Sequence, residues 1–486
     1  ANRAVLAGLG YGAGDPEFRA AGGNDLIIAI TGEAGAVAAI VADPDTWLAR
    51  RPAAAGTSAR EPRSIAEAAA AHPQCSVAVI SVPGEHAARE ARAALEQGLN
   101  VFLFSSNVAL ADELELKRAA RDRGLIVMGP DCGTAYLGGA AIGFANAVRP
   151  GPIGIVAAAG TGLQEFASLV HQAGSGISAG IGTGGRDLAD AIGGLSTLAG
   201  IDALEADPAT QVIAILAKPP GSAATAVLLQ RLGACRKPVI LCLLGADPDS
   251  WELPGAPARI APAGTLDEAA RLALAAVGRP SPGWLLADPA AAAAAVAAQI
   301  AGMRPEQRYI RGLFAGGTLC YQAQAIFRAA GLVVQANAPI HGMGELADPR
   351  QSVGHCFVDL GAELFVDGRP HPMIDASLRR QRLLQEAEDP AVAVILLDFI
   401  LGAIASRDPV GDLLGAIRAV QAAARARNGR ICVVASVCGT DQDAQGLQGQ
   451  IDALVREGVQ VFPSSAQAAG FCRELLYGLC SRQEVR

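Results

Sequence analysis

Two Gly-Thr turns carry the first chemical hint. Gly160-Thr161-Gly162 and Gly317-Thr318 each follow a short apolar run and open an amphipathic stretch that stops at Ala-Gly. A strand, a glycine turn and a helix start form an anion-binding geometry, because free backbone N–H groups and the positive end of the helix dipole converge there. Phosphate, a carboxylate or a nucleotide would suit it. A plain N-cap role for Thr161 is the competing reading. The turn has neither Walker A spacing nor a following Lys.

Other polar loops follow apolar runs. Gly182-Thr183-Gly184-Gly185-Arg186-Asp187 should end the next strand and face the same crevice, with Gly184 and Gly185 offering amides. Arg186 suits a carboxylate or phosphate, or else pairs with an acid at a helix start. Val82-Pro83-Gly84-Glu85-His86 and Gly129-Pro130-Asp131-Cys132-Gly133-Thr134 belong at the carboxyl edge of an earlier sheet. Nothing local lowers the pKa of Cys132, so a structural thiol is expected. Arg369-Pro370-His371-Pro372 with Asp375 is a stiff loop carrying a cation, an imidazole and a carboxylate. His72 and His171 fall on helices as surface or packing residues. His341, His355 and His371 match no metal-site spacing, so no metal is expected. There is no GxSxG or HExxH.

The elements that position these loops are duplicated. Gly160 and Gly317 lie 157 positions apart, as do Gly174 and Gly331. DPATQVIAILAKPPG at 207–221 pairs with DPAVAVILLDFILG at 389–402, now 182 apart, so the second copy gained 25 residues, in a segment that includes 340–344 and 368–375. One α/β unit used twice is the economical account. Strands are expected at 25–31, 76–82, 100–104, 125–128, 153–158, 177–181, 211–217 and 238–244. Helices are expected at 34–50, 65–72, 86–97 and 111–123. Apolar strands alternating with helices imply parallel sheets covered on both faces.

The 486 residues fit about three domains. With 18% charged and 51% apolar residues the chain is globular. A net charge of −8, no basic run and 4% aromatics argue against nucleic acid. Ten scattered cysteines without a CxxC pair argue against structural zinc and suit reduced thiols in a cytoplasmic protein. The alanine-rich stretch 286–303 contains Pro289 and Asp288 and is too weakly apolar to span a membrane. It reads as a linker helix. The start at Ala1 has no charged-then-apolar leader, which suggests a trimmed start over a signal peptide.

GPDCGT (129–134), GTGLQE (160–165), GGRD (184–187), KPP (218–220), GRPHPMID (368–375) and GTDQD (439–443) resemble the FdrA proteins of the succinyl-CoA synthetase-like superfamily. The resemblance runs along nearly the whole chain, with a start like that of a member missing its first few dozen residues. It implies an α/β protein with a Rossmann-like CoA-binding-type domain followed by two flavodoxin-like succinyl-CoA synthetase-type domains. The boundaries implied are a truncated segment and linker at 1–66, the Rossmann-like domain at 67–150, the first ligase-like domain at 151–283, a linker helix at 284–306 and the second ligase-like domain at 307–486.

The resemblance also exposes departures. In the synthetases, the segment after the strand matching 238–244 carries a histidine that is phosphorylated. Here it reads Leu253-Pro254-Gly255-Ala256-Pro257, and no His lies between His171 and His341. Lys218 replaces the acidic residue that holds the phosphohistidine. A phosphoryl carrier does not work without its nucleophile, and there is no ATP-grasp domain. The resemblance therefore implies a subunit of an oxamate carbamoyltransferase in allantoin breakdown, turning oxalurate and phosphate into oxamate and carbamoyl phosphate beside partner subunits. The alternatives are an NDP-forming acyl-CoA synthetase and a non-catalytic ligand-binding scaffold. Candidate catalytic residues are Lys218, Arg186, Arg369 and His371. Candidate anion ligands are Gly160, Thr161, Gly162, Gly184, Gly185, Gly317 and Thr318. Val82, Pro83, Gly129, Pro130, Asp131 and Cys132 are the candidate cofactor contacts, with no cofactor assigned and CoA as the candidate. The expected ligands are phosphate or carbamoyl phosphate and a small anionic substrate. An oligomer is expected, with no nucleic acid and no membrane partner.

Overall fold

A computed structural model describes residues 12, 16–20, 28, 30, 33–44, 62–246, 259–285 and 289–484. The chain forms two compact units, Ala1–Arg63 and Ser64–Arg486. In the first unit the described elements are the helices Pro16–Ala20 and Ala34–Ala42. The strand expected at 25–31 falls almost wholly outside the described residues, as does the end of the helix expected at 34–50.

The second unit holds three sheets. Val77–Ile80 (β1), Asn100–Leu103 (β2) and Val127–Met128 (β3) form a parallel sheet in the order β1-β2-β3. Its helix Gly84–Glu96 turns Ala87, Ala88, Ala91, Ala94 and Leu95 inward, a small-residue stripe at helical spacing that lets the helix lie close to the sheet.

Thr134–Leu137 (β4), Ala140–Gly143 (β5), Pro150–Ala157 (β6), Ile177–Gly182 (β7), Val212–Ala217 (β8), Val239–Leu243 (β9) and Ile260–Ala263 (β10) make the second sheet. Its order is β10-β9-β8-β6-β7-β4-β5. Strands β6 to β10 are parallel, and β4 runs antiparallel to β7 and β5.

Tyr309–Phe314 (β11), Gln335–Ala336 (β12), Gly344–Glu345 (β13), Cys356–Asp359 (β14), Val392–Ile400 (β15), Cys432–Cys438 (β16) and Gln460–Phe462 (β17) form an all-parallel third sheet, ordered β13-β12-β14-β11-β15-β16-β17. All nine residues of β15 and all seven of β16 are buried, as strands covered on both faces must be.

The duplication holds in space. β6 and β11 sit centrally, flanked by β8 and β7 in one sheet and by β15 and β14 in the other. Most of the inserted residues fall before β14 and build the short β12 and β13, so residues 368–375, which follow β14, are not the bulk of the insertion as the sequence suggested. β12 and β13 occupy the edge that the β4–β5 hairpin occupies in the second sheet.

Two sequence boundaries shift. The hairpin 134–143, assigned to the Rossmann-like segment 67–150, hydrogen-bonds into the second sheet. An apolar cluster also joins Phe102 and Met128 to Ile181, Ile201 and Ile215. The helix Pro289–Ala301, read as a linker, is packed: Val296 and Met303 enter a core shared by both ligase-type halves, and Arg482 donates to the carbonyls of Ile300 and Met303 at 3.0 Å. That core runs from Leu163 and Phe166 to Leu319, Phe327 and Leu475. The two halves therefore fold as one apolar body.

Candidate functional site

The helices Gly160–Gln172 and Gly317–Ala329 meet at their starts. A Cβ on Gly162 would lie 2.9 Å from the Thr318 methyl, and one on Gly316 would lie 3.0 Å from the Thr161 hydroxyl. Each threonine thus packs on a glycine of the other copy. The N-cap residues are Ala159 and Gly316, and neither turn is capped by a side chain of its own. Thr161 is therefore inside the first turn and is not the N-cap.

The two turns are not equivalent cradles. Ahead of the second helix, the Ala315 and Gly316 amides donate to Asp398 at 2.8 and 2.7 Å. Asp398 is buried and held in turn by the Arg379 guanidinium at 2.9 Å. A Cβ on Gly317 would strike Asp359 Oδ2 at 2.7 Å. Carboxylates of the chain itself thus crowd Gly317 and Thr318, and Thr318 is buried. The first turn lies beside the Gly133-Thr134 backbone, with Thr134 Oγ1 3.8 Å from a Gly160 Cβ. Gly160, Thr161 and Gly162 are left as the turn able to receive an external anion.

The loops of the first sheet are wired to this region. Ser105 donates its hydroxyl to the Val82 carbonyl at 2.6 Å, and its own carbonyl accepts the Asp131 amide at 3.0 Å. Pro83 precedes the helix start, and Gly84 abuts the carbonyls of Ser106 and Asn107. Gly184, at φ +83°, packs on Gly129 and Pro130, while Gly185 has open space around it. Asp131 itself has φ +57°, a conformation few non-glycine residues adopt. Cys132 is buried against Gly182, and burial pushes its thiol up to about 12, so it is inert.

Charge in the crevice is mixed. Asp131 reaches solvent at the mouth, yet the protein walls lift its carboxyl to about 6, with Glu363 adding to the rise and Arg186 and Lys218 opposing it. Asp359 is also lifted to about 6, first by burial, while the Gly361 amide and Lys218 oppose the rise. Lys218 is exposed at the end of β8, its ammonium 5.1 Å from the centre of the Tyr321 ring. Lys218 acts electrostatically on both carboxyls, Asp131 in the loop between β3 and β4 and Asp359 at the end of β14.

Arg186 is not a free cation. Its guanidinium donates to the Val108 carbonyl at 2.8 Å and pairs with buried Glu113 at 2.9 Å. Asp187 goes instead to Lys117 at 2.7 Å and caps the helix Leu195–Ala206 through the Ser196 and Thr197 amides. The GGRD segment is thus anchored, with Gly184 against the 129–130 backbone and open space beside Gly185.

His371 and Arg369 part company. The His371 ring lies 5.4 Å from Phe144, and its Nε2 would be 2.7 Å from a Gly361 Cβ. Burial and the Arg379 charge lower its pKa to about 4, so it is neutral. Nδ1 accepts the Met373 amide at 3.2 Å, which leaves the proton on Nε2. Arg369 lines a different cavity, described below. His341 is exposed, and His355 Nδ1 accepts the Ile310 amide at 3.3 Å. Among the described residues no group of three His, Cys, Asp or Glu side chains could hold a metal ion. Among them, too, no helix is long and apolar enough to cross a membrane.

Sequence reasoning missed Asp359, Asp398 and Tyr321. Asp359 and Asp398 each end or interrupt an apolar strand, and a carboxylate inside such a run was the available signal. Tyr321 had none.

The family model described as CoA-ligase matches residues 313–473, from β11 into the last helix. Among solved structures, the apo dinucleotide-forming acetyl-coenzyme A synthetase 1 of Ca. Korarchaeum cryptofilum is 16% identical, covers 84% of each chain and superposes with a TM-score of 0.32. The ATP citrate lyase of Methanothrix soehngenii, in complex with citrate and coenzyme A, is 17% identical over 87% of this chain and 85% of that one, with a TM-score of 0.37. The uncharacterized protein YahF of Escherichia coli strain K12 is 42% identical over 487 residues, covering 100% of this chain and 92% of YahF. On that identity along its whole length the chain belongs to the YahF family, and it carries a CoA-ligase domain in its second half.

Proposed function

We propose that this chain transfers a small acyl group to phosphate in the crevice between its two ligase-type halves, without a phosphorylated histidine. Carbamoyl, as the FdrA resemblance implies, is the specific group proposed. The observation that carries the reading is the meeting of the two Gly-Thr helix starts beside Lys218 and two carboxyls that titrate near 6. The Gly160–Gly162 amides receive phosphate. The Lys218 ammonium offsets the charge that grows on the acyl oxygen in the transition state. Asp131 or Asp359, protonated, supplies the proton that the leaving nitrogen needs.

For oxalurate, a phosphate oxygen attacks the carbamoyl carbon. The bond from that carbon to the oxamate nitrogen breaks, the nitrogen takes the proton, and oxamate and carbamoyl phosphate result. Neutral His371, with its proton on Nε2 and an amide on Nδ1, is not poised to accept a phosphoryl group. Partner subunits of the same pathway, in a cytoplasmic assembly, belong to this proposal.

The test is phosphate-dependent formation of carbamoyl phosphate from oxalurate by the chain with its partner proteins. Lys218→Ala should cut the rate at least tenfold, and an unchanged rate would overturn the site.

The CoA-ligase match favours a second reading, acyl-CoA ligation. Residues 82–86 and 129–134 contain no Lys or Arg to hold the phosphates of CoA, a poor fit that keeps CoA out of the mechanism above. Radiolabel from γ-labelled ATP retained on the denatured chain would support this second reading and count against the first.

A further inference from the structure

Outside the crevice, the loop 360–369 and the helix Ser377–Glu386 wall a cavity of about 440 Å³. Its volume falls in the range of small-molecule sites, roughly 300–1,000 Å³, and exceeds what a bare inorganic anion fills. Lys218, Asp131 and the Gly160 turn are not among its walls.

Its polar groups are of three kinds. The guanidinium groups of Arg350 and Arg369 have no hydrogen-bond or ion-pair partner among the described residues. Gln381 offers an amide that can donate and accept, and Asp367 offers one acceptor-only carboxylate. A third arginine, Arg382, is already committed to Glu386, Ser352 and the Pro349 carbonyl. Half-exposed Leu364 and buried Phe365 supply the apolar surface.

Two free guanidiniums match a phosphate group, which they can grip bidentately. Asp367 would repel a simple anion unless the ligand also carries a hydroxyl or amino donor for it. The leucine and the phenylalanine suit a flat or apolar body. We propose that this cavity is a second ligand site, separate from the acyl-transfer crevice, for a mononucleotide-sized organic phosphate. Arg350 and Arg369 take its phosphate, and Asp367 and Gln381 its hydroxyl or base edge.

The test is calorimetric titration of the full chain with AMP, ADP, adenosine and inorganic phosphate. Saturable binding of AMP or ADP is expected, with adenosine and inorganic phosphate each at least tenfold weaker. Arg369→Gln and Arg350→Gln should each weaken AMP at least tenfold, and Leu364→Glu, which sets a negative charge beside the ligand, should do the same. These side chains lie at the surface, so a thermal melt of each variant will separate lost binding from lost folding. Lys218→Ala should leave AMP binding unchanged. The assignment is overturned if neither nucleotide binds at millimolar concentration, if inorganic phosphate binds as well as AMP, or if Lys218→Ala abolishes binding that the arginine variants keep. That last outcome would place the ligand in the crevice. Carbamoyl phosphate formation is a separate readout, so either proposal can fail alone.

Discussion

Glu165 accepts the Ser465 amide at 2.6 Å and the Ser465 hydroxyl at 2.7 Å, so a side chain of the first Gly-Thr helix caps the last helix of the second half. Gln322, which stands 157 positions later, returns the favour: its Oε1 accepts the Leu266 amide at 2.8 Å, at the start of the last helix of the first half. The two halves are joined by reciprocal caps as well as by their common core. Burial lifts the Glu165 carboxyl to about 8, with Asp267 adding to the rise.

That raised value makes stability depend on pH. The folded chain keeps the Glu165 proton up to about pH 8, while an unfolded glutamate loses it near 4.5. The folded state therefore binds more protons between those values, and stability should fall as pH climbs from about 4.5 to 8. Glu165→Gln mimics the protonated form. Its melting temperature should vary less over this range and exceed the wild type's at pH 8.5. Glu165→Ala strands the Ser465 amide and should cost about 1–3 kcal/mol at every pH. Thermal melts from pH 5 to 9 would decide, and parallel wild-type and Glu165→Gln curves would sink the idea.

Lys117 anchors the GGRD segment from the opposite side. It is fully buried and bonds Glu113 at 2.9 Å, Asp187 at 2.7 Å and the Thr183 carbonyl at 3.0 Å. Lys117→Met would leave buried Asp187 without its cation and Glu113 with Arg186 alone, a change that usually costs about 3–5 kcal/mol. Urea unfolding should show a loss of that size. Because Asp187 also caps the helix Leu195–Ala206, amide exchange of Ser196 and Thr197 should quicken.

The apolar strands were legible because their burial is written in composition: VIAILA at 212–217 and VILCL at 239–243 were found to within two residues. The duplication was legible too, down to the 25-residue gain. The β4–β5 hairpin was not, since it turns on Gly138-Gly139 and its small residues alternate weakly. β12 and β13 are two residues each, too short for any periodicity. The site was read only in part. Gly184 packs on Gly129 and Pro130, and Gly160 lies near Gly133, so these loops are neighbours, but the pairing of Arg186 with Glu113, 73 positions earlier, leaves no local trace. Nor does the filling of the second turn by Asp398, because long-range partners are chosen by topology.

Anion binding in the crevice should strengthen as pH falls. Asp131 and Asp359 titrate near 6, so above that pH both are ionised and repel phosphate, against the attraction of Lys218 and the helix-start amides. Phosphate affinity should rise severalfold between pH 7.5 and 5.5, beyond what the titration of phosphate itself produces. Asp131→Asn should raise affinity at pH 7.5 and flatten the profile. A steep profile retained in Asp131→Asn and Asp359→Asn alike would mean that other groups set it.

The approach of Gly162 to Thr318 can be tested through its sign. Alanine at 162 gains helix propensity worth up to about 1 kcal/mol, but its Cβ would sit 2.9 Å from the Thr318 methyl, at the junction of the two halves. Overpacking of that kind costs about 1–3 kcal/mol, so Gly162→Ala alone should destabilise. Thr318→Ser removes the methyl and keeps the hydroxyl. In that background Gly162→Ala should cost much less, or stabilise, because the propensity gain is no longer opposed. A double-mutant cycle by chemical denaturation should give a favourable coupling of about 1 kcal/mol or more. Coupling near zero would mean that the two helix starts part easily, and the crevice they form would then be softer than an anion cradle between them requires.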